Sequence, residues 1–191
     1  RRIRECRVYS RIMPFNTPAE TIRAERPQGI ILSGGPSSVY AENAPKCDPA
    51  IFELGIPILG ICYGLQLMIQ TLGGEIARGR AREYGKAILE IAEPGELFVG
   101  VSPKTQVWMS HGDKVTAPPP GKFKVLATTD NCEYCAVTVE DRNIFGIQFH
   151  PEVVHTPQGK RIICNFCHDI CGCAGNWTMA GFIEQSVREI R

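Results

Sequence analysis

"GIPILGICYGLQLM", residues 55–68, divides into three pieces. Ile56 to Ile61 is a short apolar run of the kind that forms a strand buried on both faces, and Tyr63 to Leu72 has the apolar spacing of a helix closed by Gly73 and Gly74. Between them stands Gly60-Ile61-Cys62-Tyr63-Gly64. A thiol on such a strand-to-helix turn is held out of the sheet near the positive end of a helix dipole, which favours the thiolate that attacks. The two glycines keep side chains out of the turn. The Tyr63 amide, next after Cys62, is free to donate to an oxyanion, as in the Gly-x-Ser-x-Gly elbow of hydrolases. Taken alone, the spacing suits a small buried thiol at a helix start equally well.

Working outward, strand-like and helix-like segments alternate through the first half, the pattern of a parallel sheet covered by helices. Val8 to Ile12 is a candidate strand. "TPAE" at Thr17 to Glu20 carries the signs of a capping box with Pro at the first helical position, so a helix is expected to about Arg26. Gly29 to Leu32 reads as a strand ending in "SGGPSS", and Asp48 can cap a helix that stops at Gly55. From Glu75 to Ile147 short β-type runs follow one another between Gly, Pro and Asp/Asn turns, which predicts a mixed or antiparallel extension. A helix is expected from Thr156 and Pro157 to Gly172, and an amphipathic one over "TMAGFIEQSVREIR".

The bulk composition narrows the function. A chain of 191 residues that is 43% hydrophobic can bury a core as one domain. Its 21 basic and 20 acidic residues are scattered, which argues against a nucleic-acid partner. No apolar run reaches the roughly 18 residues of a membrane span, and "RRIREC" lacks the apolar core of a signal peptide, so a soluble cytoplasmic protein is expected. The nine cysteines are an odd number, and several lie in apolar runs, which predicts free thiols in a reducing compartment. "RRIRE" reads as the end of a helix whose beginning is absent.

A nucleophilic cysteine needs a base. "FGIQFHPE" supplies one: a strand from Ile144 to Phe149 delivers His150, and Glu152 is placed two residues on, where it can accept from the ring N–H and fix its tautomer. A loop histidine beside a solvated carboxylate is the bland alternative, and the elbow cysteine upstream argues against it. His155 and His168 have no such carboxylate, and His111 in "SHGD" reads as part of a substrate loop. "SGGPSS" brings a backbone close to a ligand, with the Gly35 amide as a second oxyanion donor; it lacks the lysine of a phosphate loop. Cys164, Cys167, Cys171 and Cys173, with His168 and the Cys132/Cys135 pair, include two C-x-x-C spacings that suit a metal or redox module. Cys164, Cys167 and Cys171, however, fall on one helix face among Ile163, Phe166 and Ile170, as a packing stripe does, so no metal is expected.

Together, "ILSGGPSSVY", "GIPILGICYGLQLM", "VWMSHGD" and "GIQFHPEVVHT" resemble the class I, or triad, glutamine amidotransferases over nearly the whole chain. "REYG" at Arg82 to Gly85, "MSHGD" and "NWTM" resemble the branch of that family that serves GMP synthesis. The resemblance implies an α/β, flavodoxin-like fold: a mostly parallel central sheet flanked by helices, with a small mixed or antiparallel β extension. It also implies a first strand, ending in an Asp-Phe-Gly-like turn in mid-sheet, that is missing before Arg1. Residues 1–173 would form the glutaminase domain and 174–191 a linker and first helix toward an ATP pyrophosphatase domain.

By the same resemblance Cys62 attacks the side-chain amide of L-glutamine to give a γ-glutamyl thioester. His150 protonates the departing ammonia and then activates water, and Glu152 orients His150. The backbones of Gly35 and Tyr63 form the oxyanion hole; Gly34, Gln66, Ser110, His111 and Asp113 surround the glutamine. No cofactor is implied in this domain. ATP and Mg²⁺ belong to the synthetase domain, which the full enzyme, a homodimer, would use to aminate xanthosine monophosphate. Anthranilate or carbamoyl phosphate synthesis are alternative destinations for the ammonia, and a site that is idle without its partner domain is another reading.

Overall fold

The structure, a computed structural model, describes residues 1–121, 123–181, 183 and 187, with backbone alone at 80–82 and 140. A short helix α1 (Arg2–Glu5) and a second helix α2 (Ala19–Glu25) precede strand β1 (Ile30–Leu32). A 3₁₀ turn at Pro49–Glu53 leads to β2 (Ile58–Ile61), which runs directly into α3 (Tyr63–Thr71). Four strands follow, β3 (Glu75–Ile91), β4 (Lys104–Ala117), β5 (Phe123–Thr129) and β6 (Cys132–Val139), then β7 (Ile144–Ile147) and α4 (Gly159–Asn165), which continues as a π-helical turn over Phe166–Ile170.

The strands form one sheet in the order β1-β2-β7-β6-β5-β3-β4. β1, β2 and β7 are parallel, and β7-β6, β6-β5, β5-β3 and β3-β4 are antiparallel. The fold is thus α/β as expected, with a parallel core that carries the two motif strands and an extension that is larger than the sequence implied.

Alternation along β2 and β7 sorts the core onto two faces. Ile58 and Ile144 join Leu65, Met68 and Ile69 of α3, while Leu59, Ile61, Phe145 and Ile147 join Phe149, Ile162 and Phe166 on the α4 side. Gly60 and Gly146 are register partners on the α3 face. A Cβ at Gly146 would stand 2.3 Å from Leu65 Cδ1, so the missing side chains let α3 press onto the sheet and bring its first turn down to the strand ends.

Four local expectations are corrected. Val8 to Ile12 is not a strand. A strand needs a hydrogen-bonding neighbour, and a cavity of about 870 Å³ lined by Val8, Tyr9, Met13 and Gly29 lies between this segment and β1. The helix at Thr17 begins at Ala19, and its cap is distant: Asp48 takes the Ala19 amide at 2.8 Å and the Ala50 amide at 3.0 Å, while the Thr17 hydroxyl donates to the Pro14 carbonyl. The later helix starts at Gly159 instead of Thr156, because the Thr156 hydroxyl is committed to His150 and Trp108. Cys6 and Cys164 form a disulfide across 158 positions, so the thiols are not all free. The helix expected over the last residues lies, beyond Gly181, largely outside the described residues. No helix among the described residues is long and apolar enough to cross a membrane.

Candidate active site

Cys62 is the N-cap of α3 and has φ 50° and ψ −105°, a positive-φ conformation that a residue with a side chain adopts only under constraint. Two close approaches impose it. A Cβ at Gly64 would lie 2.0 Å from the Leu32 carbonyl oxygen, and one at Gly60 would lie 2.8 Å from the backbone of Gly64. The Cys62 amide donates to the Ile147 carbonyl at 2.8 Å, which ties the elbow to the end of β7. The Tyr63 amide that follows belongs to the first turn of α3, whose amides a helix cannot pair internally.

β7 ends three residues before His150. There the His150 amide donates to the Trp108 carbonyl at 2.9 Å, and the Thr156 hydroxyl donates to the His150 carbonyl at 2.6 Å. His150 Nδ1 lies 2.7 Å from Glu152 Oε1. A Cβ at Gly34 would stand 3.1 Å from His150 Cε1 and 3.6 Å from Cys62 Cβ, so the loop after β1 closes over both residues.

The electrostatics follow from these contacts. His150 is pushed up to about 10, first by its hydrogen bond with Cys62, then by that with Glu152, and against its partial burial. Burial raises the Glu152 carboxyl, but the hydrogen bonds from His150 and from its own backbone amide, with the charges of His150 and Arg2, outweigh it and leave the group below the usual range. Arg2 is held there because its Nε donates to the Glu152 carbonyl at 2.6 Å. The group facing Cys62 is therefore an imidazolium at neutral pH, able to pair with a thiolate and to give up a proton.

A cavity of about 700 Å³ opens onto Cys62 and His150. Of the residues singled out from sequence, Gly35, Gln66, Ser110, His111 and Asp113 line it. Their polar atoms are unequally available. The Ser110 carbonyl faces Cys62 Sγ at 3.7 Å. The Asp113 carboxylate accepts a short hydrogen bond from the Ser38 hydroxyl. Gln66 Nε2 donates to the Asp113 carbonyl at 2.8 Å, and both His111 ring nitrogens are engaged, Nδ1 with the Asp113 carbonyl and Nε2 with Glu83 Oε2, each at 3.0 Å. His111 and Glu83 are register partners on β4 and β3, so this pair braces the cavity wall.

The sequence reading passes over Gln148, takes Thr156 only as a helix start, and gives Arg78 and Tyr84, which also line the cavity, no role at the site. Gln148 is fully buried with Nε2 3.6 Å from Cys62 Sγ. Its only sequence signal is a polar residue in the apolar stretch "FGIQF".

Comparison with known proteins agrees with this geometry. The family model "Glutamine amidotransferase class-I" matches residues 1–170. The chain belongs to the class I glutamine amidotransferase family. Over all 191 residues this amidotransferase chain is 54% identical to a GMP synthase [glutamine-hydrolyzing] of Nostoc sp. and 55% identical to that of Thermosynechococcus vestitus. It covers 35% and 36% of those proteins, so it spans about a third of the length of the curated relatives it matches. Among solved structures, a Thermoplasma acidophilum protein assigned to GMP synthase superposes with TM-score 0.76 at 28% identity, over 90% of this chain and 85% of that one. A Thermotoga maritima glutamine amidotransferase shares the fold, with TM-score 0.62 at 21% identity over 77% of this chain and 79% of that one.

The other cysteines of this amidotransferase chain lie apart from the cavity. Burial pushes Cys167 and Cys171 up to about 12, with Cys173 adding to both, and raises Cys135 well above the ordinary thiol range. Buried thiols held protonated in this way are poor nucleophiles and poor ligands. His168 Nδ1 is taken by the Cys173 carbonyl at 2.9 Å, and the His155 ring packs on Trp108 with centroids 4.6 Å apart. No group of three or more metal-ligating side chains is found among the described residues.

Proposed function

We propose that this chain is the glutaminase unit of a GMP synthase. It hydrolyses L-glutamine to glutamate and ammonia through Cys62, His150 and Glu152. Cys62 Sγ attacks the side-chain amide carbon, and the developing oxyanion is taken by the Gly35 and Tyr63 amides. His150 passes its proton to the amide nitrogen, the C–N bond breaks, ammonia leaves and a γ-glutamyl thioester remains. Neutral His150 then takes a proton from water as the hydroxyl adds to the thioester. The C–S bond breaks and the thiolate faces the imidazolium again. Glu152 holds the ring with Nε2 toward the sulfur in both halves.

The observation that carries this reading is the junction at Cys62: a strained elbow thiol that shares the Gly34 loop with a histidine, which a carboxylate holds at 2.7 Å. The free amino acid brings an ammonium and a carboxylate that must not be buried unpaired. Asp113, which lines the cavity and accepts from the Ser38 hydroxyl, would take the ammonium. Gln66, Ser110 and His111 line the cavity that would hold the side chain, and Gly34 packs beside it against His150 and Cys62.

Residues 1–173 form the glutaminase domain and 174–191 lead toward an ATP pyrophosphatase domain or subunit. That partner, with ATP and Mg²⁺, would aminate xanthosine monophosphate with the ammonia in a homodimeric cytoplasmic enzyme. The relatives' names and their greater length support this destination. Glutamate release from glutamine by the chain joined to a synthetase domain tests it. Cys62→Ala is expected to abolish release while GMP formation from free ammonia persists. A Cys62→Ala protein that still released glutamate at the parent rate would refute the reading.

A further inference from the structure

Gln148 reaches the sulfur from within the buried interior, outside the lining of the solvent-facing cavity, and its side-chain amide has only one orientation that its neighbours accept. Gln66 Nε2 donates at 2.8 Å to the Asp113 carbonyl, a group that can only accept, which fixes Gln66 with its amino group inward. The same amino group lies 3.3 Å from Gln148 Oε1. Gln148 must therefore present its oxygen to Gln66 and its Nε2 to Cys62 Sγ, 3.6 Å away. Turning the amide over would set two amino groups against each other and an oxygen against a thiolate. The side chain is fully buried, so no bulk water competes for the contact. The Gln148 backbone N–H donates to the Cys135 carbonyl at 2.8 Å, and the Cys62 backbone N–H is tied to Ile147, the residue just before Gln148.

We propose that Gln148 is a catalytic residue that donates a hydrogen bond to the Cys62 thiolate, a second donor beside His150 held in register by Gln66 and the Asp113 carbonyl. The inference rests on Cys62 being the nucleophile. His150 is a mobile partner, since it surrenders a proton to ammonia and recovers one from water. Gln148 cannot be deprotonated in that cycle. It holds the thiolate before attack and again as sulfur leaves the thioester. The ionisable groups around the sulfur are His150, backed by Glu152, and Arg78, His111 and Asp113 across the cavity. Of these, His150 also bonds to the sulfur, and it is the one that gives up its proton in the cycle.

The test is the rate of Cys62 alkylation by iodoacetamide in the full chain, located by peptide mass spectrometry, at about pH 7 and about pH 10. Gln148→Met conserves volume and removes the donor. Its rate is expected to fall about tenfold at the lower pH, the size of one charge-assisted hydrogen bond, and to stay within about twofold of the parent at the higher pH, where an ordinary thiol ionises without help. A parent Cys62 no faster at about pH 7 than a cysteine in an unfolded peptide would overturn the nucleophile itself. A fast parent with an equally fast Gln148→Met would overturn the Gln148 role alone. If Gln148→Met does not fold, the Gln148 side-chain amide protons are followed by NMR in the parent and in Cys62→Ala. They are expected to shift upfield on loss of the sulfur, and resonances that do not move would overturn the contact.

Discussion

The Thr156 hydroxyl donates to the His150 carbonyl at 2.6 Å and accepts from the Trp108 amide at 3.0 Å, so one buried side chain pins the histidine loop to β4. The bond to His150 crosses the Pro151-Glu152 turn from within a short loop, six residues on. It fixes the backbone that aims the ring. Thr156→Val keeps the shape and removes both bonds. Stability is expected to fall by about 1–3 kcal/mol in urea unfolding, with kcat for glutamine reduced more than KM changes. Parent-like kcat in a folded variant would show that the pin does not serve the ring.

Glu152→Gln preserves size but changes what Nδ1 faces. The amide can present a donor to the ring and carries no charge to support the imidazolium. A loss of about 10²-fold or more in kcat is expected, with little change in melting temperature, because the Glu152 side chain is partly exposed. Steady-state glutamate release with a melt on the same protein reads both.

The pH dependence follows from the raised His150. Its general-acid form is lost only as pH climbs toward about 10, so the basic limb of kcat/KM is expected there and not near the ordinary histidine value of about 6.5. Cys62 is the first cause of the rise and Glu152 the second. In Cys62→Ala the ring is expected, by NMR titration, to lose its proton at lower pH than in the parent, yet above the ordinary value because Glu152 remains. An unchanged titration would deny that the sulfur and the ring are bonded.

The elbow glycines separate folding from chemistry. Gly64→Ala drives a Cβ into the Leu32 backbone, which cannot turn aside, and is expected to destabilise by about 3 kcal/mol or more. Gly35→Ala meets nothing nearer than Tyr63 Cγ at 4.0 Å and is expected to fold as the parent does. Equal melting temperatures for the two would contradict the close approach of α3 to β1.

Cys6–Cys164 joins α1 to α4, and α1 delivers Arg2 to the Glu152 carbonyl. Cys6→Ser is expected to lower stability by about 2–4 kcal/mol in non-reducing buffer, and reduction of the parent to do the same. A parent whose unfolding is unchanged by reductant would show that the bridge contributes nothing.

What was legible in the sequence was what is local. Cys62 between two glycines, after a buried strand, and His150 two residues from Glu152, at a strand end, each carry their geometry within a few residues. The structure adds what depends on distant partners. Val8 to Ile12 looks like a strand until its neighbour is sought and a cavity is found instead. Thr156 looks like a helix cap because a Thr-Pro start is the commoner use of a hydroxyl there, whereas Trp108 and His150, far away in sequence or folded back, claim it. Asp48 caps a helix 29 residues upstream as well as its own turn, and Cys6 finds Cys164 across the whole chain. Gln148 was unreadable because a buried glutamine has meaning only through Cys62 and Gln66, each more than 80 positions away.

The most direct measurement is acid quenching of the chain during turnover of L-glutamine, with its synthetase partner present, followed by peptide mass spectrometry. A γ-glutamyl group on the Cys62 peptide, discharged on continued incubation and absent from Cys62→Ala, is the expected result. Glutamate release with no acyl group on Cys62, or with the group on another cysteine, would contradict the central role of Cys62, His150 and Glu152.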